Sequence, residues 1–277
     1  MKRIIIQILS FFGINPHVVN FINGTIYQGK TKNFCVPVLN CWSCPGASHS
    51  CPIGAIQFYI GHTARYIAFY TLGILFLTVS LTGRFVCGYV CPFGFFQDLL
   101  HKIPTGKRIR VKPGFRYLKY AVLVIFVILL PLLTANNDPW FSKVCPAGFF
   151  FAAFPLLLAD KTFIQGISYF FYIKAGIAII IAGMATRISR PFCQTMCPLG
   201  AIFELCRPFY FSGIDVDMNK CISCNKCYSA CPMDIKVYQK KNDCIQCGEC
   251  VKICPVNAIS INYCKFRTPQ LKTTERT

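Results

Sequence analysis

The sequence predicts a mainly α-helical protein in which a polytopic membrane helix bundle, of about four crossings, precedes a small α+β domain. Three observations carry that expectation. Of 277 residues, 54% are apolar and only 14% charged, a balance that excludes a disordered chain and disfavours an ordinary soluble enzyme. The apolar residues collect in runs close to the length of a bilayer crossing. From residue 215 the composition turns polar and cysteines crowd together. The 19 cysteines are too many for a core that merely tolerates thiols, and the chain is too long for a disulfide-stapled mini-domain, so metal ligation leads. A net charge of +19 would suggest nucleic acid in a soluble protein. In a membrane protein basic residues gather in cytoplasmic loops instead, so the expected partner is the lipid bilayer and not nucleic acid.

A hydrocarbon core about 30 Å thick needs roughly 20 helical residues. The runs 66–83, 117–135 and 167–185 meet that need. A fourth run, 4–22, is interrupted by Asn15, Pro16, His17 and Asn20. Its basic flank Met1-Lys2-Arg3 is followed by no small-residue cleavage site, so it reads as an uncleaved anchor. The run 147–159 has 13 residues, a length that suits a re-entrant or interfacial helix. Charge then orients the chain. Arg84, Lys102, Lys107, Arg108, Arg110, Lys112, Arg116 and Lys119 face the single acid Asp98 in one loop, which is expected to be cytoplasmic. In the loop 136–166, Lys143 and Lys161 are balanced by Asp138 and Asp160, so it is expected outside. Both termini then lie in the cytoplasm, with residues 23–64 outside. Three crossings with a surface-lying N-terminal segment would move only residues 1–22.

The C-terminal part carries the strongest motif. CISCNKCYSACP supplies Cys221, Cys224, Cys227 and Cys231, and CIQCGECVKICP repeats the spacing with Cys244, Cys247, Cys250 and Cys254. Each is Cx2Cx2Cx3CP, the run of bacterial two-cluster ferredoxins, in which the fourth cysteine ligates the other cluster. One [4Fe-4S] cluster is therefore expected on Cys221, Cys224, Cys227 and Cys254, and another on Cys244, Cys247, Cys250 and Cys231. A zinc ribbon is the competing reading, but it uses two Cx2C pairs rather than four thiolates followed by proline. Residues 1–214 thus form the helix bundle, 215–264 the two-cluster domain and 265–277 a basic polar tail.

Within the bundle one signature recurs four times, at Cys51-Pro52-Ile53-Gly54, Cys91-Pro92-Phe93-Gly94, Cys145-Pro146-Ala147-Gly148 and Cys197-Pro198-Leu199-Gly200. Proline is tolerated at the first helical position, which predicts each cysteine at a helix cap, facing the positive end of the helix. Cys87 precedes Cys91 by four residues, as Cys193 precedes Cys197. By the charge-derived topology both pairs lie at the inner face, and together they supply the four ligands of a further iron-sulfur cluster, cubane or [2Fe-2S]. Packing as small apolar residues, or a zinc site, would also accommodate them. On the outer side Cys35, Cys41, Cys44, Cys51 and Cys145 can serve one cluster but not two. Cys41, Cys44, Cys51 and Cys145 are the favoured set, with Cys35 in reserve, while disulfides are the alternative outside a membrane. Cys206 and Cys264 have no motif around them. Lys174 interrupts the last apolar run, either to balance a cluster or bond a quinone ring, or to snorkel to the surface. His17, His49, His62 and His101 are isolated.

The combination of CGYVCPFG, CQTMCPLGA and the tandem Cx2Cx2Cx3CP runs resembles the membrane-bound polyferredoxins of the NapH/NosR type, over most of the chain from Cys35 to Asn262. The resemblance implies four transmembrane helices in the cell membrane, a cytoplasmic ferredoxin domain, and electron transfer between quinol and other redox proteins. It transfers cluster roles to Cys87, Cys91, Cys193, Cys197 and the eight C-terminal cysteines. Phe141 stands where a third Cx3CP would need cysteine. The functional expectation is a membrane iron-sulfur electron-transfer protein, possessing no catalytic residue of its own and acting as a quinol dehydrogenase-type subunit. The alternative is a redox maturation factor that reduces a metal or cofactor of another enzyme.

Overall fold

Cys-Pro pairs set where the helices begin. The computed structural model describes residues 2–61, 65–103, 106–134, 140–159, 168–239 and 243–262. In it, helices start at Pro52, Pro92, Pro146 and Pro198, each directly after its cysteine. The missing N–H of proline is no loss there, because the first turn has no intrahelical acceptor for it. The chain is mostly helical, with one two-stranded sheet.

Two helices, Pro113–Leu133 and Tyr169–Arg187, are long and apolar enough to cross a membrane. Arg65–Thr82 has 18 residues, but its described apolar part, Phe69–Thr82, is shorter than a crossing. The expected crossing over 4–22 is not a single helix. Lys2–Ile14 has 13 residues, about 20 Å at 1.5 Å per residue. It stops where Asn15 turns its side chain back onto the Phe11 carbonyl, 3.1 Å away, and Pro16 has no N–H with which to continue. Two helices widen locally into π turns, at Leu123–Leu129 and Phe149–Ala153. Each lies just before a proline, Pro131 or Pro155, whose absent N–H leaves the carbonyl five residues earlier, its partner in the π register, without a donor. Gln57 compensates in the first case: its Nε2 donates to the Phe126 carbonyl at 2.8 Å, while its Oε1 accepts from the Ser142 N–H at 3.3 Å.

The C-terminal domain closes by pairing its ends. β1 (Gly213–Val216) and β2 (Ile259–Asn262) run antiparallel, with Ile214 opposite Ile261, and Ile214, Val237, Cys250 and Ile259 form its small core. Helices Lys226–Ala230 and Glu249–Ile253 lie between the strands in sequence. This domain docks on the basic loop and on the inner cysteine segment. Arg108 donates to the Cys231 carbonyl at 2.5 Å and pairs with Asp234 at 2.7 Å. Arg116 donates to the carbonyls of Met233 and Asp234. Gly88 is glycine for a steric reason, since a Cβ there would meet the Ile245 carbonyl oxygen at 2.6 Å. Gly88→Ala is expected to force the two surfaces apart and cost about 1–3 kcal/mol, read as a lower unfolding temperature and earlier proteolytic release of the C-terminal domain.

Cys264, residues 265–277, His62 and the loop charges Asp138, Asp160 and Lys161 lie outside the described residues, as does the side chain of Arg65.

Candidate functional site

The CPxG repeat builds one local device. Cys91, Cys145 and Cys197 each sit at a helix N-cap with proline next. The glycine N–H at the fourth position turns back to the sulfur: Gly200 N donates to Cys197 Sγ at 3.3 Å. The N–H groups of Ile53 and Gly54 lie near the Cys51 sulfur and those of Ala147 and Gly148 near that of Cys145, without a cap hydrogen bond at Cys91 or Cys145. Free N–H donors at a helix start favour a sulfur that carries negative charge.

Two of these devices meet at one place. Cys193 lies within Coulombic range of Cys87 and Cys91, and Cys197 within that of Cys193, Cys87 and Cys91. Burial pushes the Cys87 thiol up to about 11 and the Cys193 thiol up to about 12, so thiolates here require positive charge. Two arginines supply it. Arg84 stands three residues before Cys87 and Arg190 three before Cys193, and each crosses to the other motif. A Cβ on Gly94 would touch Arg190 Nη1 at 3.2 Å, and one on Gly200 would touch Arg84 Nη2 at 3.1 Å. Glycine at the fourth position therefore leaves room for the partner motif's guanidinium. Arg190 is fully buried with φ of 51°. It grips Asp98 bidentately at 2.7 and 2.6 Å and donates to the Cys87 carbonyl at 2.6 Å. Asp98 also takes Arg3 at 2.5 Å and Gln7 at 2.9 Å. Burial works against the Asp98 carboxylate, but Arg190 and Arg3 hold its pKa below the ordinary range. Gln97 adds a bond to Cys193 Sγ at 3.2 Å. The residue counts that oriented the chain treated Arg84 as a loop charge; the repeated spacing Arg-x2-Cys-x3-Cys-Pro was the signal for its role.

The C-terminal thiols fall into two sets. Cys221, Cys224, Cys227 and Cys254 line one small cavity. Cys250 lies within Coulombic range of Cys244, Cys247 and Cys231, and least strongly of Cys227 in the neighbouring set, and Cys231 within that of Cys247. The two runs repeat one backbone path. Positive φ occurs at Ser223, Asn225 and Asp234, and again at the equivalent Gln246, Gly248 and Asn257. Residues other than glycine seldom adopt that region. Alternating left- and right-handed residues turn successive N–H groups inward as an anion nest, the backbone form found at iron-sulfur sites. The sets therefore fit a [4Fe-4S] cluster each. Among the described residues no three His, Cys, Asp or Glu side chains are placed to hold a single metal ion. A zinc ion, with Zn–S near 2.3 Å, would draw its thiolates to within about 4 Å of one another.

The inner thiols and the second C-terminal set share one apolar cluster: Cys193, Cys231, Met233, Ile235, Ile245 and Cys247, with Cys87 and Cys244 against it. Tyr89 donates to the Cys247 carbonyl at 2.9 Å. Arg84 touches both sides, since it pairs with Asp243, next to Cys244, at 2.7 Å. Lys119 bonds the same carboxylate and Glu204. Burial opposes the Asp243 charge, but Arg84 and Lys119 hold its pKa down to about 2.

Five of the other six thiols of the bundle, Cys35, Cys41, Cys44, Cys51 and Cys145, gather at the opposite end. Helix Lys2–Ile14 measures the separation: Arg3 reaches Asp98 at the inner site, whereas Asn15, just past its end, lies 3.7 Å from Cys44 Sγ. Twelve helical residues rise about 18 Å. All eighteen described cysteines are free thiols; Cys206 is half-buried against the main core and joins no set.

Three matches to models of the 4Fe-4S binding domain cover residues 64–112 with 171–210, 214–238 and 237–260. The first spans all four inner cysteines and both arginines. The chain is 29% identical over 204 residues to the uncharacterized protein MJ0750 of Methanocaldococcus jannaschii, covering 69% of this chain and 76% of that one. It is 26% identical over 198 residues to MJ0749 of the same organism, covering 68% and 67%. No solved structure matches. With its thiol sets and these matches, the chain is an iron-sulfur binding protein built on ferredoxin-type 4Fe-4S domains.

Proposed function

We propose that the chain is a membrane-bound electron relay. Its C-terminal domain holds two [4Fe-4S] clusters, one on Cys221, Cys224, Cys227 and Cys254, the other on Cys244, Cys247, Cys250 and Cys231. A third iron-sulfur cluster is held by Cys87, Cys91, Cys193 and Cys197 at the membrane boundary. Such clusters take up and release electrons, with potentials set by burial, charge and bonds to sulfur. The observation that carries the reading is the single apolar cluster shared by Cys87 and Cys193 with Cys231, Cys244 and Cys247, which brings two ligand sets together without intervening solvent. Arg84, Arg190 and Gln97 stabilise anionic sulfur there, and the dry packing excludes water.

The membrane reading is supported by apolar side chains left exposed on the long helices, such as Phe69, Leu77, Leu132 and Ile179, which suit lipid contact. With four crossings in the cell membrane, the C-terminal domain and the basic loop face the cytoplasm. Electrons then pass between that side and a membrane quinone or an outer redox partner, as in NapH-type quinol dehydrogenase subunits. Cys193→Ala is expected to remove about four irons and the matching sulfide while leaving about eight in the C-terminal domain. Unchanged iron would overturn the inner site. Anaerobic addition of a quinol analogue is expected to bleach the cluster absorption reversibly.

A second reading, reduction of a metal or cofactor in another enzyme, rests on Cys41 and Cys51, which reach the wall of an open cavity. It predicts electrons delivered to copper or a corrinoid and none exchanged with quinone.

A further inference from the structure

Cys41, Cys51 and Cys145 line a cavity of about 490 Å³ at the end of the bundle away from the C-terminal domain. None of the three lies in a segment matched by the 4Fe-4S binding-domain models. Cys145 lies within Coulombic range of Cys41, Cys51 within that of Cys145, and Cys44 within that of Cys41. Three sulfurs drawn from two distant loops therefore border one space, with Cys44 beside Cys41.

Two polar side chains at this set are buried with nothing to bond. Lys32 is 3% exposed, and its Nζ has no hydrogen-bond partner among the described residues. It sits 4.7 Å from the centre of the Trp42 ring and within Coulombic range of Cys44 and Cys41. Asn40 is 1% exposed, lines the cavity, and leaves both Nδ2 and Oδ1 without partners. A buried ammonium is unfavourable without a counter-charge, and a buried amide without partners is rare. Lys174 brings a second cation: a Cβ on Gly148 would meet its Nζ at 2.8 Å and Cys41 Sγ at 3.3 Å. Gly148 thus leaves room for Lys174 as Gly94 does for Arg190.

We propose that this end of the bundle holds a further iron-sulfur cluster of the [4Fe-4S] class, ligated by Cys41, Cys44, Cys51 and Cys145 and balanced by Lys32 and Lys174. A cubane core with four thiolates carries a net charge of about −2 in its oxidised form, and the two lysines neutralise it. Cys44 is the fourth ligand rather than Cys35 because it shares the buried Lys32 with Cys41, as Cys35 does not. The site is joined to the inner thiols by packed rings. Phe171, in the cavity wall, lies 5.8 Å from Phe149 between ring centres. The series continues through Phe150, Phe96 and Phe93 at 5.5, 4.6 and 6.1 Å and ends on Phe192, 5.2 Å further and adjacent to Cys193.

The test uses the full chain purified anaerobically in detergent, with iron, zinc and acid-labile sulfide counted and Mössbauer spectra recorded. About sixteen irons are expected. Cys145→Ala should lose about four of them with the inner and C-terminal spectra unchanged, and Cys35→Ala should lose none. Lys32→Met should keep the iron and move one cluster to lower potential, because a compensating positive charge is gone. Equal iron in Cys145→Ala and the parent, zinc without sulfide at this end, or cystine among these residues in the unreduced protein would each overturn the proposal. The inner site is read separately by Cys193→Ala, so failure of one is not failure of the other.

Discussion

Arg190→Met is expected to remove the inner cluster and destabilise the fold by about 3–5 kcal/mol, the usual cost of breaking a buried ion pair by deleting one partner. Arg190 is fully buried and makes four bonds, two to Asp98 and one each to the carbonyls of Cys87 and Gly88. Methionine fills the volume but leaves Asp98 with only part of its counter-charge and takes the Arg190 donor from the Cys87 carbonyl, while Gly88 keeps Arg3 and Gln7. It also takes positive charge from Cys193 and Cys91. Iron and sulfide counts should fall by about one cubane, and urea unfolding should report the lost stability. Arg190→Lys should recover part of the stability but less of the cluster, because an ammonium cannot form the bidentate pair. Full iron in Arg190→Met would show that the crossed cations only brace the fold.

Asp243→Asn is expected to loosen the junction between the two halves by a similar amount, about 3–5 kcal/mol. Its carboxylate lies among three cations: Arg84 at 2.7 Å, Arg116 at 3.9 Å and Lys119 in direct contact. The amide removes the charge that holds Arg84 and Lys119, which are 3% and 1% exposed. Protease should then release the C-terminal domain with its own clusters intact, and electron exchange between that domain and the inner site should slow. Lys119 keeps Glu204, so Arg84 is the buried cation left without a carboxylate, and the double variant Asp243→Asn/Arg84→Met should recover stability relative to the single one. Equal protease sensitivity in parent and single variant would show that other contacts carry the docking.

The sequence announced its thiols well and their surroundings poorly. Proline directly after each cysteine reported the helix starts at Pro92, Pro146 and Pro198, because that placement depends on one residue's chemistry. The CPxG spacing likewise foretold a sulfur capping helix N–H groups, a bond that forms at Cys197 and not at Cys91 or Cys145. What escaped was pairing across the chain. Arg84 meets Asp243 over 159 positions, a contact that no local pattern encodes. Lys32 has no motif around it, and only its burial exposes it. Charge counting also met an ambiguity. Arg108, Arg116 and Lys119, counted for topology, bond the C-terminal domain, so their number reflects docking as well as orientation. Within the expected crossing over 4–22 the first helix stops at Ile14 for a local reason, the Asn15 and Pro16 that interrupt the run.

The close backbone approach of Gly88 to Ile245 has a consequence for traffic through the molecule. Carriers that swing or collide deliver charge at a pace governed by diffusion, and they slow as solvent thickens. Here the two halves are welded face to face, and only a few residues separate Leu205, the last of one helix, from the strand at Gly213. In the proposed relay, passage between them is expected to be indifferent to viscosity and salt. In the proposed relay, exchange with a soluble redox protein would take place where Cys224 is exposed, and that encounter alone would respond to both.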